Sequence, residues 1–126
     1  MKIVVVIARI LLGLTFAFFG ANVFHPFLPS PPPPPGLAGQ FAGVLFGTPY
    51  HYLVGAAQVI GGLLVLSNLY PVLGLTFLGP VLVNILAFHL FMDPKGIVPG
   101  LVATLLWFIL FFRYRQHFAG LFVQKP

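Results

Sequence analysis

One arginine, two amides and three imidazoles stand inside, or at the rims of, segments otherwise built for hydrocarbon: Arg9, Gln58, Asn84, His25, His51 and His89, with Asn22 and Asp93 close by. A polar group inside a membrane is costly unless a partner, a cavity or a ligand offsets the loss of water, so each is a candidate for function. Amides both donate and accept, which suits a ligand carbonyl or hydroxyl. Neutral imidazole suits zinc, iron and haem as readily as it suits hydrogen bonding. The chain has no cysteine. Disulfides, thiolate nucleophiles, iron–sulfur clusters and thiolate metal sites are therefore excluded, and redox chemistry has to come from a bound cofactor or a partner.

The stretch "GPVLVNILAFHLFMDP", residues 79–94, concentrates the question. Pro80 has no N–H and crowds the preceding turn, so the carbonyl of Thr76 loses its usual donor and the helix is expected to bend. Asn84 follows one turn later on nearly the same face. In hydrocarbon its amide needs partners, and Gln58, Asn22 or a ligand carbonyl would supply them. His89 points about 140° away from Asn84 on an ideal helix. In "YHYLVGAAQVIGGLLVL", residues 50–66, His51, Gly55, Gln58 and Gly62 share a narrow arc, a small and polar face that turns into a bundle. Gln58 then serves either an interhelical hydrogen bond, worth about 1 kcal/mol, or a ligand.

Depth along the helices sorts these residues into two layers. His25, His51 and His89 fall towards one set of helix ends with Asp93 just above them, while Asn22, Gln58 and Asn84 form a deeper polar layer. The upper set, His25, His51, His89 and Asp93, is a candidate metal or haem site, although no spacing in it is a metal motif and three helices would have to converge. Histidines hydrogen-bonded to loops are a second reading. A third is a quinone-like or lipid-like ligand held by Arg9, Asn22, His51, Gln58, Asn84 and His89 among aromatic side chains. Quinone ranks ahead of haem or metal. Arg9, about two turns into its segment, either snorkels to the headgroups or turns inward to backbone carbonyls, Gln58 or an anionic ligand head.

The elements that must position these residues follow from composition. Of 126 residues 60% are hydrophobic, and a single residue is acidic, which excludes an ordinary soluble domain. Apolar runs at 3–24, 50–66, 72–92 and 97–112 each approach the about 20 residues of a spanning helix. The first is read as a retained helix, since it outruns the about 7–15 apolar residues of a signal core and Arg9 interrupts it. The net charge of +5 does not mark a nucleic-acid binder, because the basic residues flank apolar segments. Lys2 and Arg9 at one end of the chain, and Arg113, Arg115 and Lys125 at the other, instead predict both termini in the cytoplasm. Lys95 falls outside, beside Asp93.

Between the runs, "SNLYP" is a short turn in which Asn68 can take the left-handed conformation and Pro71 can start a helix. The only long connection, 25–49, holds "HPFLPSPPPPPG", which favours an extended polyproline II segment, as a stiff spacer or a docking rod for an external partner. The apolar piece 37–47 is about half a span, which fits an interfacial or re-entrant helix acting as a lid. Gly13, Ala17 and Ala21 form a ridge for close helix packing. After Thr104 and Trp107, "WFILFFRYRQHFAGLF" reads as an interface anchor, with Phe118, Leu121 and Phe122 on a short surface tail.

"ARILLGLTFAFFGANVF", "YHYLVGAAQVIGGLLVL" and "GPVLVNILAFHLFMDP" together resemble the DoxX-like family of small four-helix membrane proteins, over nearly the whole chain. The matching positions are Arg9, Gly13 and Gly20, then Gly61 and Gly62, then Asn84 and His89. The resemblance implies a role beside quinone-linked oxidation of sulfur compounds, or in membrane oxidoreductase assemblies that resist oxidative stress. It also implies a bacterial inner membrane. Many such relatives carry glutamate where this chain has Gln58, and glutamine cannot relay a proton or balance Arg9.

The expectation is an all-α integral membrane protein in one domain: a four-transmembrane-helix bundle, both termini cytoplasmic, with the proline-rich loop outside. Function is expected to be that of a redox accessory subunit working with membrane lipid and a partner protein, with self-association open. A non-enzymatic scaffold or assembly factor is the alternative. A small transporter is disfavoured, because Arg9 has no carboxylate partner and no inverted repeat is evident. No self-sufficient catalytic constellation is present.

Overall fold

The computed structural model describes residues 2–126 and contains helices and no strand among the described residues. Helix α1 is Lys2–Phe24, α2 is Gly36–Gly47, α3 is Tyr50–Leu66, α4 is Pro71–Phe91 and α5 is Ile97–Arg113, preceded by a 3₁₀ turn at Pro94–Gly96. A four-residue helix α6, Arg115–Phe118, and a 3₁₀ turn, Ala119–Phe122, close the chain. The helices α1 and α4 and the unit Pro94–Arg113 are each long and apolar enough to cross a membrane. A fourth span exists if α2 and α3, bent by 83° at their junction, are counted as one.

The breaks between helices have local causes. Pro35 holds an extended backbone at φ −73° and ψ 162°. Gly36 then adopts φ +71°, a left-handed turn that a side chain would strain, and this swings the proline run into α2. Gly39 continues the same device, since a β-carbon there would run into the Pro34 carbonyl. At the other end of α2, Thr48 precedes Pro49 and is extended at φ −125° and ψ 163°, as a residue before proline prefers. The turn into α4 uses two left-handed residues, Asn68 at φ 60° and Tyr70 at φ 57°, before Pro71 opens the helix.

The long helices form a ring in which α3 and α5 each pack against both α1 and α4. Leu12, Val65, Leu75, Leu78 and Leu110 are fully buried along its centre. Two seams are built on glycine. Between α1 and α3, a β-carbon on Gly13 would come within 2.7 Å of Leu66, one on Gly62 within 2.5 Å of the Ala17 nitrogen, and one on Gly55 within 2.8 Å of Val23. Gly61 faces the other way and lets Leu78 and Gly74 of α4 approach. In lipid there is little hydrophobic force between helices, so this close backbone approach supplies the contact. The outward faces stay apolar: Val83, Val98 and Leu105 are each more than 60% exposed.

The tail departs from expectation at Phe118. Leu121 and Phe122 are exposed, but Phe118 is 6% exposed and folds back against Phe111, with ring centroids 5.0 Å apart. It plugs the end of the bundle where α1 begins and α5 finishes.

A candidate ligand cleft beneath the short helix

Helix α2 leans over the first half of α3 and the second half of α4, and between them lies a half-open cleft of about 780 Å³. Its walls are apolar because each helix turns large hydrophobics towards it, among them Phe41 and Leu45 of α2, Leu53 of α3, and Ile85 and Phe88 of α4. Phe41 meets Phe88 with ring centroids 5.5 Å apart, which ties the short helix to α4. At the hinge, the ring of His51 lies 4.2 Å from that of Tyr52, and its Nδ1 is 2.6 Å from the Thr48 carbonyl. A carbonyl only accepts, so Nδ1–H donates, and His51 latches the bend instead of entering the cleft.

Three of the polar candidates do line the cleft: Gln58, Asn84 and His89. Gln58 is half-buried, and its Cβ packs on Gly20, where a β-carbon would sit 2.8 Å away. Its amide has no protein hydrogen-bond partner among the described residues. Asn84 was expected to bridge to Gln58, Asn22 or a ligand. Its Nδ2 instead donates to the Pro80 carbonyl of its own helix at 2.8 Å. One turn of helix is a shorter reach than a neighbouring helix, and that bond satisfies one amide hydrogen. The second hydrogen and Oδ1 remain for the cleft.

His89 stands at the upper rim, 22% exposed at its side chain. Its Nδ1 is 3.2 Å from the Asp93 carbonyl oxygen and 3.8 Å from the Asp93 carboxylate. Gly96 makes room for this edge of the ring, since a β-carbon there would lie 2.7 Å from Cε1. Asp93 thus holds His89 from outside the cleft; the sequence placed it in a candidate metal set with three histidines, of which it meets His89.

The remaining candidates do structural work elsewhere. Arg9 reaches backbone carbonyls of α3: its Nη1 donates to the Leu66 carbonyl and lies 3.4 Å from that of Val65. The turn after α3 supplies donors to the carbonyls of Leu63, Leu64 and Val65, Arg9 supplies one to that of Leu66, and the guanidinium there also complements the negative end of the helix dipole. Asn22 leaves the deeper layer. Its Oδ1 accepts from the backbone N–H groups of Phe27 and Leu28 at 2.9 and 3.0 Å, fixing the exit from α1. His25 is exposed. Of the proposed metal set, only His89 and Asp93 meet, and no three His, Asp, Glu or Cys side chains among the described residues are grouped to hold a metal ion.

Sequence reasoning passed over Trp107 as a structural residue. Its indole N–H donates to the Leu75 carbonyl at 2.9 Å, and Gly79 lies against the indole ring. The signal was available: a tryptophan midway along one span, opposite a Gly–Pro pair that loosens the backbone of another. No family model, curated protein or solved structure matches this chain.

Proposed function

We propose that this chain is a four-span bundle of a bacterial inner membrane, with both termini cytoplasmic, whose outer cleft binds a quinone-like ring and which serves as an accessory subunit of a quinone-linked or oxidative-stress redox system. The observation that carries this reading is the cleft itself. An apolar, phenylalanine-lined space of about 780 Å³, inside the usual range for small-ligand sites, is lined by an amide of α3 and by an amide and an imidazole of α4. A quinone fits that chemistry: its flat ring packs among Phe41 and Phe88, its oxygens meet Gln58, Asn84 and His89, and its tail runs out into lipid. The chain offers no electron carrier of its own, so electrons would come from a partner protein. The resemblance to DoxX-like proteins supports the same role. The excess of Lys and Arg at the end that holds both termini supports the orientation.

A scaffold reading has its own support, since Arg9, Asn22 and Trp107 all spend their polar groups holding backbone in place. One titration separates the two. Gently purified protein is titrated with decylubiquinone, and its organic extract is analysed for bound quinone. On the ligand reading, wild type binds and Asn84→Leu weakens binding about tenfold, the worth of one hydrogen bond, with little loss of thermal stability. Absence of binding in the wild type, with Asn84→Leu lowering the melting temperature, would favour the scaffold.

A further inference from the structure

Free hydrogen-bonding capacity in the cleft is concentrated at its inner end. Gln58 is the innermost residue that α3 gives to the lining, about 12 Å along the helix from Tyr50. Asn84 of α4 lies about 10 Å in from Phe91 by the same rise. Among the described residues Gln58 spends neither its N–H groups nor its carbonyl on the protein, while Asn84 spends one hydrogen on the Pro80 carbonyl. Lining residues nearer the rim are more occupied: the Thr48 hydroxyl donates to the Val44 carbonyl, and His89 Nδ1 faces the Asp93 carbonyl. Gly20 of α1 closes behind Gln58, since a β-carbon there would meet the Gln58 Cβ at 2.8 Å and the Val59 nitrogen at 2.9 Å. Helix α1 therefore fixes where this side chain starts.

Around these amides nothing answers a full charge. No lysine, arginine, aspartate or glutamate is among the residues that line the cleft. Arg9 is held at the Leu66 carbonyl at the far end of α3, and Asp93 and Lys95 belong to the turn after α4. Taking a carboxylate or phosphate out of water is strongly unfavourable unless a cation replaces what is lost. An uncharged carbonyl or hydroxyl oxygen loses far less, and an amide answers either one.

We infer that Gln58 is the specificity-determining residue of the cleft: it admits a lipid-soluble molecule whose head carries an uncharged oxygen, and it refuses the carboxylate of a fatty acid and the phosphate of a phospholipid. The inference rests on reading the cleft as a ligand site, and it adds to a quinone-like ring the class of molecule that must be kept out. A bilayer offers apolar chains with charged heads in large excess over any other ligand. Because the free amides lie well inside the helix ends, a head has to pass the rim and leave water behind to reach them. A neutral head does so at small cost, whereas a charged one stays at the surface.

The test is native mass spectrometry of the full chain in detergent with decylubiquinone, oleyl alcohol and oleate as probes, at about pH 9, where a carboxyl group is ionised. The alcohol and oleate share one chain and differ at the head. The expected result is binding of decylubiquinone and of the alcohol, with oleate at least about tenfold weaker than the alcohol. Gln58→Leu should weaken both uncharged probes about fivefold to tenfold with the melting temperature retained, and Gln58→Lys should raise oleate relative to the alcohol. A wild type that binds oleate as well as the alcohol overturns the inference without any variant, and the quinone reading then stands or falls on decylubiquinone alone. A folded Gln58→Leu with unchanged affinities overturns it too. Preference for the alcohol over oleate, with no binding of decylubiquinone, would sustain the selectivity and remove the quinone. Binding of none of the probes overturns both.

Discussion

The polar residues of this chain divide by what their hydrogens find first. Arg9 finds the Leu66 carbonyl at the end of α3, so its role is a helix cap supplied from α1. Hydrogen bonds from a charged donor contribute about 1.5–3 kcal/mol. Arg9→Met should therefore lower stability by about 1–3 kcal/mol, seen in detergent unfolding, while leaving affinity at the cleft unchanged. Arg9→Lys should recover part of the loss, because an ammonium keeps the charge but not the planar fork. A neutral Arg9→Met, or one that weakens ligand binding, would return Arg9 to the headgroups or to the site. The same principle limits what could be read beforehand. That Arg9, Asn22, Gln58, Asn84 and His89 carry burdens was evident from their presence in hydrocarbon. Which partner each takes depends on backbone atoms of other elements, and these have no signature in the residue itself. Asn84 is the exception, since the carbonyl it bonds lies in its own helix, four residues back.

At the level of elements, glycine placement explains both why the helices associate and why they leave a cleft. Gly13 and Gly20 of α1 interlock with Gly55 and Gly62 of α3, both pairs spaced seven residues apart, and the tight seam draws α3 towards α1. Gly61, Gly74 and Leu78 draw the inner part of α4 to α3. Further out, Leu53, Val54 and Ala57 face Val81, Ile85 and Phe88 across open space, and α2 roofs it. A contrast between two glycines tests this. Gly62→Ala places a β-carbon 2.5 Å from the Ala17 nitrogen, so α1 must move, and a loss of about 2–3 kcal/mol is expected from overpacking. Gly43→Ala, on α2, meets nothing within 4 Å and should be neutral or slightly stabilising, by up to about 1 kcal/mol from helix propensity. Equal effects in a melting experiment would remove the seam from the account. Much of this was legible, because apolar run length and breaker residues located every long helix within a few residues, and the half-length apolar run announced α2. The 83° bend at Thr48–Pro49 was not, because its angle is set by Phe41 on Phe88 and by His51 on Thr48, contacts that spacing does not reveal.

On the scale of the molecule, the two ends of the bundle differ in charge as well as in shape. Lys2, Arg113 and Arg115 stand at the end at which α1 starts and α5 stops, whereas the cleft end holds Lys95 and Asp93 and is otherwise without Lys, Arg, Asp or Glu. A membrane that retains positive loops on its cytoplasmic side would therefore place the cleft, α2 and the proline run outside, and any partner that exchanges electrons with a bound ring would approach from there or through the bilayer. The chain lacks cysteine, which makes the orientation directly measurable. Ser30→Cys lies in the exposed proline-rich segment and Gln124→Cys in the exposed tail, and neither side chain has a structural partner to lose. In intact cells a membrane-impermeant maleimide should label the first and spare the second. After permeabilisation both should react. Labelling of Gln124→Cys alone in intact cells would invert the bundle and put the cleft on the cytoplasmic side. Equal labelling of both in intact cells would mean that the chain has an odd number of spans, in which case α2 and α3 do not cross as one unit. That outcome would also reopen the cleft, because its roof would no longer lie at the membrane surface assumed for a ligand entering from lipid.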